Sequence, residues 1–248
     1  MGLRIAIVSD IHGNIAALDA ALLDIAPHKP DRLFIAGDLV MNGPRPSEVV
    51  HRVMVLEKAG AYVVQGNTDI AVADGDYAAA FPWLDEVPEA QRQVAEWASD
   101  QLIPDELDYL RRLPAERRLW AGETLVLLCH ASPGSQTAGL AADLDASEMV
   151  QRVTRSDARV IVCGHTHIAD VRELGRKLIV NPGSCGYPFD GDPDASWAML
   201  TLEPGAEPVA ELHRVAYDAE RVAMEVSDRG LPGDVYRAAT IRKGRLVR

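Results

Sequence analysis

Aspartates, histidines and one asparagine stand at the ends of five apolar runs in this 248-residue chain. The first run ends in Asp10 and is followed by His12. The second ends in Asp38, the third in Asn67, the fourth in His130, and the fifth in His165 and His167. Carboxylate, carboxamide and imidazole together are the donors of a divalent site that prefers oxygen and nitrogen. The set contains no thiolate, which speaks against a structural zinc cluster and for manganese, iron or zinc in an open catalytic site. The stretch "VIVCGHTHIAD", Val160 to Asp170, is the most specific piece: β-branched residues stop at Gly164 and two histidines follow with only Thr166 between them. If the backbone stays extended there, both imidazoles point to one side, as a metal would require. Taken singly, each piece has a plainer reading: Gly37-Asp38 and Gly66-Asn67 as turns, Asn67 as a helix cap, His130 as a buried hydrogen-bonded histidine, "GHTH" as a surface loop. Independent turns have no reason to share one donor chemistry, so the set as a whole points to one site.

The runs must then bring these residues to a common edge. "LRIAIVSD" (3–10), "DRLFIAGD" (31–38), "AYVVQGN" (61–67), "TLVLLCH" (124–130), "ARVIVCGH" (158–165) and "KLIVNPGS" (177–184) are apolar without strict alternation, as expected of strands covered on both faces. "NIAALDAALLDIA" has helical spacing, as does "PSEVVHRVMVLEKAG", with Ser47 placed to cap it and Gly60 to stop it. This is the alternation of βαβ units, an α/β fold in which the carboxyl ends of parallel strands share one edge and bind ligands there. From about Thr68 to Trp120 the pattern becomes helical. "PEAQRQVAEWASDQL" and "PDELDYLRRL" each open on a proline and read as a helical insertion or cap within one domain spanning 1–248. After Ser184 a turn cluster leads to two strands, "SWAMLTLE" and "VAELHRVAY", and a final helix from near Asp218. The first of those strands could form an edge that pairs between chains.

Composition narrows the function. A net charge of -12 repels a nucleic-acid polymer, and a small phosphorylated molecule remains the partner a local cation site can hold. The chain has no apolar run of membrane-spanning length and no export signal, so a soluble cytoplasmic protein is expected, with no membrane partner. Cys129, Cys163 and Cys185 are too few and odd in number for a disulfide framework and read as buried thiols. The basic tail "IRKGRLVR" reads as a solvated terminus, and His28, His51 and His213 as surface residues.

In order and spacing, "DIHGN" (10–14), "GD" (37–38), "GN" (66–67), the lone His130 and "GHTH" (164–167) resemble the calcineurin-like metallophosphoesterases. "NGPRPSEVV" and "NPGSCGYPFDGDPDASWAML" are similar to the compact prokaryotic branch that includes small phosphodiesterases and diadenosine-tetraphosphate hydrolase-like proteins. The resemblance implies a four-layer α/β/β/α sandwich and two divalent ions, manganese first, with iron, zinc or nickel as alternatives. It implies that Asp10, His12 and His167 hold one ion, that Asn67, His130 and His165 hold the other, and that Asp38 bridges them. Asp38, Asn67 and His165 are then the residues nearest the chemistry. Two such ions, roughly 3.5–4 Å apart, can share a hydroxide for in-line attack on a phosphoryl group.

The chain departs from the family at Thr68, where many members carry a histidine that serves as the acid for the leaving group. A threonine hydroxyl is far too weak an acid for that, so phosphoanhydrides, nucleotide phosphodiesters and activated aryl esters are expected to be better substrates than alkyl monoesters. Asp69 reads as a helix cap or a partner behind the ligands. Arg45 could bind a distal phosphate. Tyr187 could stack on a base, with Phe189, Trp83 and Trp97 as further aromatic candidates. A phosphomonoesterase or phosphoprotein phosphatase is the enzymatic alternative. A non-catalytic scaffold for protein partners is disfavoured, because such a chain should have lost some of its seven ligands.

Overall fold

Each apolar run buries both of its faces, and this is what stacks the chain into layers. In the computed structural model, which describes residues 2–247, alternate residues of β1 (Leu3–Val8) divide between two cores. Ile5 and Ile7 face a second sheet, while Ala6 and Val8 face helices. One sheet is ordered β10-β9-β1-β2-β3, with β2 at Arg32–Ile35, β3 at Tyr62–Val63, β9 at Ala195–Leu202 and β10 at Val209–Val215. The other is ordered β4-β5-β6-β8-β7, with β4 at Glu116–Ala121, β5 at Thr124–Cys129, β6 at Val160–Val162, β7 at Ala169–Leu174 and β8 at Lys177–Pro182. The core between them is built from Ile5, Ile7, Phe34 and Leu200 on one side and Val126, Leu128, Val162 and Val180 on the other. Helices α1 (Ile15–Ile25) and α2 (Pro46–Lys58) cover the outer face of the first sheet, and α7 (Ala146–Val153) covers that of the second. The four layers α/β/β/α are those expected, whereas the sheets are mixed rather than parallel. β1, β2 and β3 run parallel, as do β5, β6 and β8, while β9, β10, β4 and β7 pair antiparallel.

The helical stretch comprises α3 (Asn67–Asp74), α4 (Tyr77–Ala80), α5 (Glu89–Asp100) and α6 (Pro104–Arg112). It ends before residue 116, because the segment up to Trp120 is the edge strand β4. β9 lies between β1 and β10, so the expected free edge at 196–203 is already paired on both sides. After α8 (Ala219–Asp228) comes α9 (Asp234–Lys243), which takes up the start of the basic tail: Ile241 is buried and Arg242 pairs with Glu220. His28 and His213 pack around the buried Trp197, His213 stacking on it at 4.0 Å, and only His51 is openly exposed. The three cysteines are free and buried, and burial pushes the Cys163 and Cys185 thiols up to about 12. Among the described residues no helix is long and apolar enough to cross a membrane.

Phe34, 1% exposed and stacked on Tyr62 at 5.3 Å, fills the space between the sheets directly upstream of Asp38. Phe34→Ala is expected to lower the unfolding free energy by about 3–5 kcal/mol in urea denaturation. Leu23→Ala, at a position 75% exposed, should shift it by no more than about 0.5 kcal/mol. Equal effects would place the core elsewhere.

Candidate metal centre

Past their last ladder bonds, β1 and β2 continue side by side: Asp10 N–H donates to Gly37 O at 3.1 Å, His12 N–H to Asp38 O at 2.9 Å, and Gly13 N–H to Leu39 O at 2.8 Å. Within these tied loops the backbone turns left-handed at non-glycine residues, with φ of 53° at Asp10, 50° at His12 and 51° at Asp38. The same occurs after β6, with φ of 68° at His165 and 59° at His167. Such conformations are uncommon for residues with a side chain and persist only where the surroundings impose them. They also correct the expectation of an extended "GHTH" segment. The strand ends at Val162, and the two imidazoles diverge instead of sharing a face.

The divergence creates two donor clusters. In the first, His12 Nε2 and His167 Nε2 approach to 3.2 Å, His167 Nε2 lies 3.5 Å from Asp10 Oδ1, and His12 Nε2 lies 3.5 Å from Asp38 Oδ2. All four residues offer a ligand atom within 4.8 Å of one another. In the second, Asn67 Oδ1 is 3.1 Å from His130 Nε2 and 3.0 Å from His165 Nδ1, those nitrogens are 3.3 Å apart, and His130 Nε2 is 3.4 Å from Asp38 Oδ1. Asp38 thus presents one carboxylate oxygen to each cluster. Six of the seven residues are buried, and His165 alone is partly open.

The hydrogen bonds behind these atoms fix which lone pairs face inward. His130 Nδ1 donates to Ala36 O at 2.6 Å, His167 Nδ1 to Tyr187 O at 2.5 Å, and His12 Nδ1 to the Val40 and Met41 carbonyls at 3.2 Å. Asn67 Nδ2 donates to Ala80 O at 3.1 Å, which leaves its oxygen pointing in. With these nitrogens committed to carbonyls, Nε2 of His12, His130 and His167 and Oδ1 of Asn67 are left facing the two clusters, where they could hold a cation. Burial and neighbouring imidazoles hold His12 near 4 and His165 near 3, and burial holds His167 near 4, so all three are neutral at pH 7 and competent as ligands. Burial raises Asp10 to about 6. Burial also opposes charge on His130, yet the adjoining Asp38 carboxylate carries that imidazole up to about 10; in return Asp38 is held well below the usual carboxylate range.

Asp69 holds the loops that carry Asp38 and Asn67. Its carboxylate accepts from the amides of Leu39 at 2.9 Å, Val40 at 3.3 Å and Gly66 at 2.8 Å. Thr68 N–H donates to Asp38 Oδ1 at 2.9 Å and its hydroxyl to Val40 O at 3.1 Å, so the side chain at the missing-histidine position is committed to the backbone. Gly66 and Gly164 are required for space rather than for a left-handed turn: a Cβ at Gly66 would overlap Asp38, and one at Gly164 would overlap Ser9 and Asp10. Arg45 pairs its Nε with Glu225 at 2.5 Å and Nη1 with Glu48 at 3.0 Å, so its charge is already shared with two carboxylates. Tyr187 is 6% exposed and backs His12, with ring centroids 5.6 Å apart. Phe189 stacks on His167 at 4.1 Å, Trp97 packs under Arg229, and Trp83 meets His165 edge-on at 5.9 Å. The sequence gives no sign of Arg237, a buried α9 residue whose Nε donates to Asn42 Oδ1 at 3.1 Å in the loop beside His12.

A two-sheet sandwich whose strand ends converge on paired aspartate, asparagine and histidine clusters defines a class of metal-dependent phosphoesterase folds. Residues 3–205 match the calcineurin-like phosphoesterase superfamily domain, and the chain belongs to that family. It is 26% identical to an uncharacterized protein of Methanocaldococcus jannaschii over 243 residues, covering 92% of this chain and 93% of that protein. A metallophosphoesterase from Sphaerobacter thermophilus is 29% identical with a TM-score of 0.75, the match covering 98% of this chain and all of that one. A hypothetical protein from Pyrococcus horikoshii, 20% identical, shares the fold with a TM-score of 0.82 over 98% of this chain and 99% of its own.

Replacing Asp69 with alanine strands three buried amides. Asp69→Ala is expected to reduce stability by about 3 kcal/mol or more in urea denaturation and to weaken divalent-ion binding in a calorimetric titration. Wild-type stability and affinity would contradict the positioning role given to this carboxylate.

Proposed function

We propose that the protein is a binuclear metal-dependent phosphoesterase that hydrolyses small phosphodiesters or phosphoanhydrides of nucleotide type. The observation that carries this reading is Asp38, whose two oxygens face different half-sites. In this reading Asp10, His12 and His167 hold one divalent ion, Asn67, His130 and His165 hold the other, and Asp38 joins them; manganese is the first expectation. Bound there, the ions supply a nucleophile at neutral pH and charge stabilisation for the phosphoryl group.

The chain's own residues set the limits of the reaction. Thr68 N–H steadies the Asp38 carboxylate, while its hydroxyl, already given to Val40 O, has no proton to lend a leaving group. The favoured substrates therefore release a stable anion unaided, which ranks nucleotide anhydrides, leaving as phosphate, and aryl diesters above alkyl monoesters and phosphoproteins. The net charge of -12 supports a small substrate over a polyanion, and three free buried thiols support a reducing cytoplasm. The complete ligand set supports catalysis over a scaffold role.

The test is hydrolysis of methyl phosphodiesters with graded leaving groups by chelator-stripped protein, with and without manganese. Manganese-dependent cleavage is expected to fall steeply as leaving-group pKa rises and to drop at least about 100-fold in Asp38→Asn. Cleavage independent of manganese, or equally fast release of alkyl and aryl groups, would contradict the reading.

A further inference from the structure

The half-site of Asn67, His130 and His165 is where the centre opens outward, since His165 is the one partly exposed residue of the seven. The side chain standing at that opening is Trp83. Its indole is 56% exposed, an unusual state for so large an apolar group, and its ring centre lies 5.9 Å from the His165 imidazole at an interplanar angle of 68°. The indole is also held in place. Its loop follows Ala80, the last residue of α4, whose carbonyl accepts from the Asn67 side chain at 3.1 Å, and passes through Phe81, which is 3% exposed and meets Trp83 edge to face at 5.8 Å. Two residues of one half-site, Asn67 and His165, thus touch the short segment that carries the exposed ring.

The other aromatic side chains near the centre are already occupied. Phe189 lies flat on His167 at 4.1 Å and 12°, Tyr187 is buried behind His12, and Trp97 is packed under Arg229. Trp83 alone combines attachment to the centre with open surface. Thr68 adds an independent demand, because a site with no acid needs a leaving group that departs unprotonated, and an aryloxide or a nucleotide leaving through its phosphate meets it.

We propose that Trp83 is a stacking platform for a flat aromatic group, a nucleobase or an aryl ring, carried by the substrate next to its scissile phosphorus. The inference rests on the phosphoesterase reading and narrows it to ring-bearing phosphate esters and anhydrides. Stacking of a base on an aromatic side chain strengthens binding about ten-fold or more by alanine substitution.

Calorimetric titration of the manganese-loaded protein with adenosine 5′-monophosphate and with ribose 5-phosphate isolates the ring, because the two ligands share the phosphate and sugar. The wild type should bind the nucleotide about ten-fold more tightly, Trp83→Phe should keep most of that preference, and Trp83→Ala should abolish it. Equal binding of the two ligands by the wild type, or binding of neither, overturns the proposal. So does a proportionate loss of both in Trp83→Ala, which would make the indole a cover for His165 only. The titration does not depend on turnover, so absence of manganese-dependent hydrolysis would remove the phosphoesterase reading without altering this comparison.

Discussion

One carboxylate placed between two sets of inward-facing acceptors is the constraint on which the rest of this structure depends. Asp38 must lie within reach of His12 on one side and His130 on the other, at 3.5 and 3.4 Å, and those histidines come from different sheets. The two-sheet sandwich makes this meeting possible, because the ends of β1, β2 and β3 face those of β5 and β6 across a shared core. Burial makes it consequential. In a low-dielectric setting the Asp38 carboxylate interacts strongly with any positive charge beside it, as the raised His130 imidazole shows.

The local cost is borne by the backbone. Five of the seven donors adopt left-handed conformations, each about 1–3 kcal/mol above the ordinary regions. They are held there by the amide-to-carbonyl bonds that continue β1 and β2 beyond the sheet, by the Asp69 carboxylate spanning the loops of Asp38 and Asn67, and by Ser184 Oγ, which donates to Asp10 O at 2.7 Å. Rigidity of this kind would suit a preorganised metal site.

Much of this was legible in the sequence, for a physical reason. A strand buried on both faces has no use for polar residues until it leaves the sheet, so Asp10, Asp38, Asn67, His130 and His165 stand out where their runs end. The backbone that aims them was not legible: nothing in "GHTH" announces two left-handed histidines, and an extended reading placed both rings on one face. β4 and β7 leave little trace in the sequence because edge strands carry charged residues such as Arg117, Arg118, Asp170 and Arg172, which blur the apolar pattern. α9 lacks a clear apolar stripe, and its buried arginine Arg237 is satisfied by carbonyls and by Asn42 rather than by any sequence neighbour of the motifs. His28 and His213 looked like surface residues because their shelter, Trp197, is contributed by another strand.

The claim that Asp38 joins two ion sites is tested most directly by counting ions. Chelator-stripped protein is titrated with manganese, bound metal is measured by mass spectrometry, and electron paramagnetic resonance reports whether the bound ions are coupled. The expected result is two ions per chain with an exchange-coupled spectrum in the wild type, and loss of the coupling in Asp38→Asn. Saturation at a single uncoupled ion in the wild type would contradict the account.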